Sequence, residues 1–505
     1  MRRLLAYIVI STLSCTAAKR PICDRLHLPG PTDVDILSAE LTAATKDLPD
    51  HCKVQGLVGS DVKFELLLPN DWNGKLVMGG GGGFVGTIQN QAQQDFTFGG
   101  SPLERGYATV GTDTGHRGAM LDASWALNSL ERKINFGHRA VHLTAEAAKE
   151  LVSSYYGRSA ERAYFIGCSR GGGQGMMESQ LYPTDFDGIV AGAPAFNWSG
   201  FAAGFVRNQQ AIYPDRSAST APVITPENKK LLEARILESC DGEDGVRDGV
   251  VDDPRRCSFR TSDLPSCPSD RPSPDCLTRA QRAAIDGIYQ GPRRGDEPLF
   301  FGFPFGGEND RGGWDPWIVG GADAIAPSVP NLHYAFGTQA FKYLFLDDPK
   351  FDYATYDFTR FEKDTAFGAS ILNATGTDLT DFKSHGGKLI LWHGWSDSAL
   401  TTLATIDYYE KVESGDPATR DHFRLFLMPG VLHCSGGPGP DQVDWLAAID
   451  DWVTKGTPPD RLVATRFDPE GKPTRTRPLC SYPQVAVYDG RGNPDEASSF
   501  VCGER

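Results

Sequence analysis

Residues 163–183, AYFIGCSRGGGQGMMESQLYP, restrict the fold more than any other part of the chain. An apolar run of strand character ends at Gly167 and Cys168, and the helix-like stretch beyond it carries glycine at 171, 172, 173 and 175. A glycine in a helix interior costs about 1 kcal/mol relative to alanine, so helix propensity did not choose these residues. Gly167-Cys168-Ser169-Arg170-Gly171 fits G-x-S-x-G between a strand and a helix. In that setting the motif turns the chain sharply and raises a serine hydroxyl at the end of a sheet. Small neighbours let such a turn pack closely. The serine also falls at a helix N-terminus, where free N–H groups and the helix dipole favour developing negative charge. Ser169 is therefore the candidate nucleophile.

The surroundings alternate. FELLLP (64–69), KLVMG (75–79) and YATVGTD (107–113) read as strands, a helix follows at about 138–156, and AYFIG (163–167), a helix to Leu181 and the strand GIVAGAP (188–194) come next. Similar runs return as KLILWHG (388–394), a helix near 400–412, FRLFLMPG (423–430) and a helix near 440–455. Such alternation predicts an α/β sheet covered on both faces. Between about 197 and 375 the chain is rich in Gly, Pro, Asp and aromatic residues and reads as a loop-rich insertion; 456–505 reads as an irregular tail. A serine nucleophile needs a base, and the base an orienting acid. In α/β-hydrolases these follow in the order Ser, Asp or Glu, His, just beyond late strands. Asp397 in LILWHGWSDSAL and His433 in FRLFLMPGVLHCSGG occupy those places. His393 ends a strand but precedes the acid, and reads as a packing or substrate-pocket residue. Asp185 and Asp187 fall on the wrong side of the helix after Ser169.

Length, 505 residues, suggests two or three units, and a net charge of −15 without a basic cluster argues against nucleic acid or an anionic membrane as partner. The N-terminus, MRRLLAYIVISTLSCTAAKR, has the charged start, short apolar run and small-residue end of a secretory signal over residues 1–18. A lipid anchor on Cys15 is disfavoured, because Leu13 stands one residue too close. No later segment is long and apolar enough to span a bilayer. Secretion or a periplasmic location is expected. Of eleven cysteines, ten remain once Cys15 leaves, an even number suited to an oxidising compartment. Four sequential pairs look local, leaving Cys168 and Cys434 as distant partners. Their bridge would tie the residue before the nucleophile to the residue after the base. With no CxxC spacing, a zinc site is disfavoured.

MGGGGGFVG (78–86) follows a strand and can aim backbone N–H groups at an oxyanion, with the N–H of Arg170 as second donor. The rival reading, a phosphate loop, lacks GK[ST]. CDGEDGVRDGVVDDP (240–254) crowds carboxylates between Cys240 and Cys257. On chemistry alone it is either a calcium site or an acidic surface turn.

FIGCSRGGGQGMM, DGIVAGAP, CDGEDGVRDGVVDDP, LILWHGWSDSAL, LFLMPGVLHCSGGPG and TRPLCSYPQ together resemble the tannase and feruloyl esterase family, which also includes mono(hydroxyethyl) terephthalate hydrolase. The resemblance runs from about residue 50 to the end. It implies an α/β-hydrolase core (19–196 with 376–505) and a large inserted lid domain (197–375), with the triad Ser169, Asp397 and His433. It implies the bridge Cys168–Cys434 and the further pairs Cys23–Cys52, Cys240–Cys257, Cys267–Cys276 and Cys480–Cys502. Structural Ca²⁺ in the lid would take the side chains of Asp241, Asp244 and Asp248 and the carbonyls of Val246 and Val250. The oxyanion donor in the glycine loop would fall at or next to Gly83. The implied activity is a serine carboxylesterase acting on small aromatic esters, feruloyl or other hydroxycinnamoyl esters first, including those carried on plant polysaccharide. Galloyl and terephthalate-type esters are the alternatives. From other classes, a silent calcium- and carbohydrate-binding protein and a serine peptidase are weighed. Arg170 departs from the threonine or glutamate of many relatives, and no counterpart of the carboxylate-gripping lid arginine stands near NLHYAFGTQAF (331–341). Trp314, Trp317 and Phe336 are candidates for packing on an aromatic acyl group.

Overall fold

The computed structural model describes residues 23–504 apart from 27, 29–32, 47, 94–98, 215–220, 322–324 and 327–328. The signal segment 1–18 and Cys15 lie outside the described residues.

One nine-stranded sheet organises the chain. Its strands are β1 (Val34–Thr42), β2 (His51–Val58), β3 (Val62–Pro69), β4 (Lys75–Gly79), β5 (Ala108–Thr112), β6 (Arg162–Cys168), β7 (Gly188–Gly192), β8 (Lys388–Gly394) and β9 (Phe423–Met428). They lie in the order β1-β2-β3-β5-β4-β6-β7-β8-β9. The first three are antiparallel and the rest, from β5 to β9, run parallel.

Burial follows from this topology. β2 and β3 alternate buried with half-buried positions, whereas β5, β6 and β7 are buried almost throughout, as expected where helices cover both faces. The period of two divides each inner strand between two cores. Phe165, Ile189, Leu389 and Leu391 belong to the core that also takes in the apolar face of α1 (Ala140–Tyr156). Tyr164, Ile166, Ile390 and Trp392 face a C-terminal helix, Trp445–Lys455. All parallel strands point their C-terminal ends to one edge. The glycine loop leaves β4 there, Ser169 leaves β6, Asp397 follows β8 and His433 follows β9.

Residues 197–375 depart from β7 and return before β8. The stretch is richer in helix than its composition suggests: α2 (Trp198–Ile212), α3 (Pro226–Cys240), α4 (Arg279–Gln290), α5 (Leu332–Gln339) and α6 (Phe361–Leu372). Side-chain caps replace strong propensity in two of them. Thr225 and Thr278 each close a reciprocal capping box with the residue three positions on, Asn228 and Gln281. The two ends of the stretch meet. Ala374 N–H donates to Phe196 O at 2.8 Å, and the Asn373 amide donates to Ser199 Oγ at 2.9 Å.

The tail is not irregular. Arg461–Phe467 pairs with Pro473–Cys480, and Val485–Tyr488 pairs with Phe500–Gly503. Arg475 and Arg477 stand half-buried on the same face as Leu479, bonded to Asp248 and Asp495, which hides the alternation in the sequence. All five expected disulfides are formed, Cys23–Cys52, Cys168–Cys434, Cys240–Cys257, Cys267–Cys276 and Cys480–Cys502.

Asp450 fastens the C-terminal helix to the other end of the sheet. Its carboxylate accepts from Lys75 Nζ at 2.6 Å, Tyr164 Oη at 2.5 Å and Tyr107 Oη at 3.2 Å. Burial pushes the carboxyl up, but the bonds from Lys75 and Tyr164 outweigh it and hold it below its ordinary value. Asp450→Ala is expected to lower unfolding free energy by about 2 kcal/mol at neutral pH, since the partly buried donors lose their acceptor. A depressed carboxyl stabilises above its unfolded value near pH 4 and loses that contribution as pH falls through the folded value. The gap between wild type and variant, measured by urea unfolding, should therefore shrink below about pH 4.

Candidate active site

Ser169 sits between β6 and the helix Arg170–Leu181, with φ 62° and ψ −120°. A non-glycine residue with positive φ is strained by about 1–3 kcal/mol and persists only where its neighbours hold it. Here Ser169 N–H donates to Gly192 O at 3.0 Å, and Ser169 O accepts from Ala195 N–H at 2.8 Å and Gly173 N–H at 3.1 Å. The glycines are explained by contact. A Cβ on Gly171 would stand 2.0 Å from Gln91 Oε1, one on Gly172 would stand 2.2 Å from Gly192 O, and one on Gly173 would stand 2.1 Å from Ala195 O. The helix start lies directly against backbone, so any side chain would force the serine turn out of place.

The acid and base meet. His433 Nδ1 is 2.8 Å from Asp397 Oδ2. An ionised carboxylate only accepts, so Nδ1 carries the proton and Nε2 keeps its lone pair. Asp397 Oδ1 accepts from Ala399 N–H at 2.7 Å and Leu400 N–H at 2.9 Å. Burial pushes the Asp397 carboxyl up, yet the His433 and His393 imidazoles outweigh burial and hold it well below the usual carboxylate range. His393, expected as a packing or pocket residue, instead bonds Asp397 Oδ2 through Nε2 at 3.0 Å and is fully buried. The Cys168–Cys434 bridge joins residues 266 positions apart, one beside Ser169 and one beside His433. Asp185 and Asp187 lie away from this edge, bonded to His142 and to Ala163 N–H.

The glycine loop leaves one amide unspent. Gly80 N–H donates to Ile166 O, Gly81 N–H to Gln174 Oε1, Gly82 N–H to Gln89 Oε1, Phe84 N–H to Met120 O, Val85 N–H to Gly82 O and Gly86 N–H to Asp113 O. Among the described residues, the Gly83 N–H has no acceptor, and Gly83 lines the same pocket as Ser169, Arg170 and His433. The first bond of the helix after Ser169 runs from Gly173 N–H, so the Arg170 amide is also uncommitted. Gln91 braces the two donors. Its backbone N–H bonds Gly80 O at 3.0 Å, while its side chain accepts from Cys168 N–H at 2.9 Å and donates to Cys168 O at 3.2 Å. Gln89, Gln91 and Gln174 carried no sequence signal, being ordinary polar residues placed only by the fold.

The Arg170 side chain is buried behind the turn. It donates to Phe136 O and to Gly137 O, lies 4.4 Å over the Phe136 ring, and is pushed down to about 9 by burial. The pocket opens to solvent. Its wall is apolar: Ala195 just before the inserted stretch, Trp198, Phe201 and Phe205 at its start, and Trp317 and Phe336 further along it. Trp317 meets His433 edge-on at 4.9 Å and lies nearly parallel to Phe336 at 6.2 Å. Trp314 is not part of this wall. It packs with Ile318, Leu232 and Ile285 in the inserted stretch's own core, 1% exposed.

A family model described as Tannase and feruloyl esterase matches residues 47–503. The chain belongs to the tannase and feruloyl esterase family. Within it, mono(2-hydroxyethyl) terephthalate hydrolase of Piscinibacter sakaiensis is 33% identical, over 97% of this chain and 92% of that protein. A probable feruloyl esterase of Arthroderma benhamiae is 32% identical, over 93% of this chain and 86% of that protein. The crystal structure of feruloyl esterase B from Aspergillus oryzae shares the fold with a TM-score of 0.81 at 24% identity, covering 94% of this chain and 98% of that one. This family member is a carboxylic ester hydrolase with an α/β fold.

The calcium expectation concerns the acidic loop 240–254. Its donors are all oxygen, the kind a hard cation takes. Asp241 Oδ1, however, accepts from Asp248 N–H and Gly249 N–H, and Asp248 Oδ2 bonds Arg477 at 2.5 Å and Arg475 at 3.3 Å. Among the described residues no group of three or more His, Cys, Asp or Glu side chains is gathered to hold a metal ion. No step of the chemistry is routed through Asp241, Asp244, Val246, Asp248 and Val250.

Replacing Cys168 and Cys434 together by alanine should lower stability by about 2–4 kcal/mol. It should also reduce kcat more than it raises KM, because the bridge sets the separation of the two loops. Ester kinetics and urea unfolding of the double variant check both parts.

Proposed function

We propose that the protein is an exported serine esterase that cleaves esters of aromatic acids, with hydroxycinnamoyl esters preferred. One observation carries the reading: a single pocket joins Ser169, His433 and the uncommitted Gly83 amide at its polar end to a wall of Trp198, Phe201, Phe205, Trp317 and Phe336. An aromatic acyl group would lie along that wall with its ester carbonyl at the polar end.

In the proposed mechanism, His433 Nε2 takes the Ser169 proton as Oγ attacks the carbonyl carbon, and the C=O pair moves onto oxygen. The Gly83 and Arg170 amides receive that oxyanion, and Asp397 stabilises the imidazolium. The imidazolium returns the proton to the departing alkoxide, leaving an acyl-enzyme. Water then repeats the cycle, giving up a proton to His433 and releasing the acid. The apolar wall excludes bulk water and so strengthens each of these interactions. Export is supported by the leader-like residues 1–18 and by the five disulfides. For the loop 240–254 we carry Ca²⁺ as a proposed structural ion, supported by its oxygen donors alone.

Methyl ferulate, methyl caffeate, methyl gallate and mono(2-hydroxyethyl) terephthalate, assayed in parallel, separate the substrate readings. Cinnamate turnover should lead, and Ser169→Ala should reduce kcat by about 10⁴-fold or more. A gallate or terephthalate preference would reassign the acyl group and keep the mechanism; no turnover and no fluorophosphonate labelling would remove it. Adding millimolar calcium to chelator-treated protein should raise the thermal midpoint, and Asp241→Asn should abolish the rise. An unmoved midpoint rules calcium out.

A further inference from the structure

We propose that His393 is a positioning residue for the reaction: by donating a second imidazole N–H to Asp397 Oδ2, it fixes the carboxylate and moderates its pull on His433. This rests on the triad reading above.

His393 lies in β8, opposite Leu427 of β9, and is fully buried. Its Nε2 is 3.0 Å from Asp397 Oδ2 and 3.1 Å from Leu400 O. Both are acceptors only, so Nε2 must bear hydrogen. Its Nδ1 is 2.8 Å from Thr405 Oγ1, whose hydroxyl can supply the donor that completes this neutral tautomer. A chain therefore runs from the Thr405 hydroxyl through the imidazole to Asp397. Asp397 receives four N–H donors, two backbone amides on Oδ1 and two imidazoles on Oδ2. A carboxylate so held cannot rotate away from His433 when the imidazolium forms.

The charge argument follows from the same geometry. Asp397 Oδ2 divides its electron density between two donors, so it stabilises the His433 imidazolium less than it would with one. The other titratable group facing the pair is His333 of α5, which burial pushes down to about 3 and so keeps neutral. Removing the His393 donor should leave the whole of Oδ2 to His433, and the acid limb of kcat/KM should move up.

The test uses the full chain. Wild type must first hydrolyse an aromatic ester and take a fluorophosphonate at Ser169; failure there removes the triad reading itself. With that shown, His393→Leu should cut kcat by about tenfold, as expected for loss of a hydrogen bond to a charged group, with KM within about twofold. Its acid limb should rise by about half a pH unit. His393→Gln, which can place an N–H near the same point, should restore both toward wild type. An unmoved limb in His393→Leu, or no advantage of Gln over Leu, would overturn the proposal in favour of packing alone. If His393→Leu does not reach the wild-type near-UV CD spectrum, Thr405→Val decides. It keeps the histidine, weakens the donor chain, and should move the limb up by a smaller amount; a wild-type limb in that variant overturns the proposal.

Discussion

Everything at this site depends on one backbone conformation, that of Ser169 at φ 62°. The turn is held because β7 offers Gly192 O to its amide and Ala195 offers an N–H to its carbonyl. Those bonds require the helix after Ser169 to approach the end of β7 closely, and a Cβ at 172 or 173 would collide with carbonyl oxygens there. The glycines weaken the helix locally and make the turn attainable. Helix propensity yields to tertiary contact.

From that turn the rest is brought into reach by topology. Parallel strands bring four loops to one edge, and a covalent bridge adds a fixed distance between two of them. The acid is then over-determined by four N–H donors, which with the neighbouring imidazoles explains how a fully buried carboxylate stays ionised. On the other side of the serine, the glycine loop is held by side-chain amides from Gln89 and Gln174 and by Gln91 between loop and elbow. The order of these parts matches their chemical need: groups that carry charge in the reaction are held by several bonds, while Gly83 N–H stays uncommitted.

The sequence made the strand-end residues legible because each has a local cause. Ser169 announces itself through glycines that only contact explains, and Asp397 and His433 each follow an apolar run that reads as a buried strand. The bracing residues had no such mark. Gln91 and His393 act through partners 77 and 4 positions away, and nothing in their neighbours' composition predicts those bonds. Trp314 and Trp317 look equivalent in GGWDPWIVGG, yet a single irregular helical turn sends one into the core and the other to His433. The tail hid its strands because Arg475 and Arg477 occupy half-buried places beside Leu479, held there by Asp248 and Asp495, while Val463 is exposed, so hydrophobic alternation was diluted. Likewise the inserted stretch hid its helices, four of which start at an asparagine or threonine cap, Asn197, Thr225, Thr278 and Asn331.

The division of labour follows from where each residue resides. In the proposed mechanism, proton transfer and oxyanion binding fall to groups held by the sheet and the bridge. The acyl wall is built mainly from the inserted stretch, where Trp317 and Phe336 stack on one another above the site rather than on the sheet. Substitution there alters shape and polarity without disturbing Ser169, Asp397 or His433. Trp317 is the exception, because its ring edge touches His433 as well as the wall. It couples the two halves: a change at 317 alters both the acyl surface and the packing that keeps the base in place.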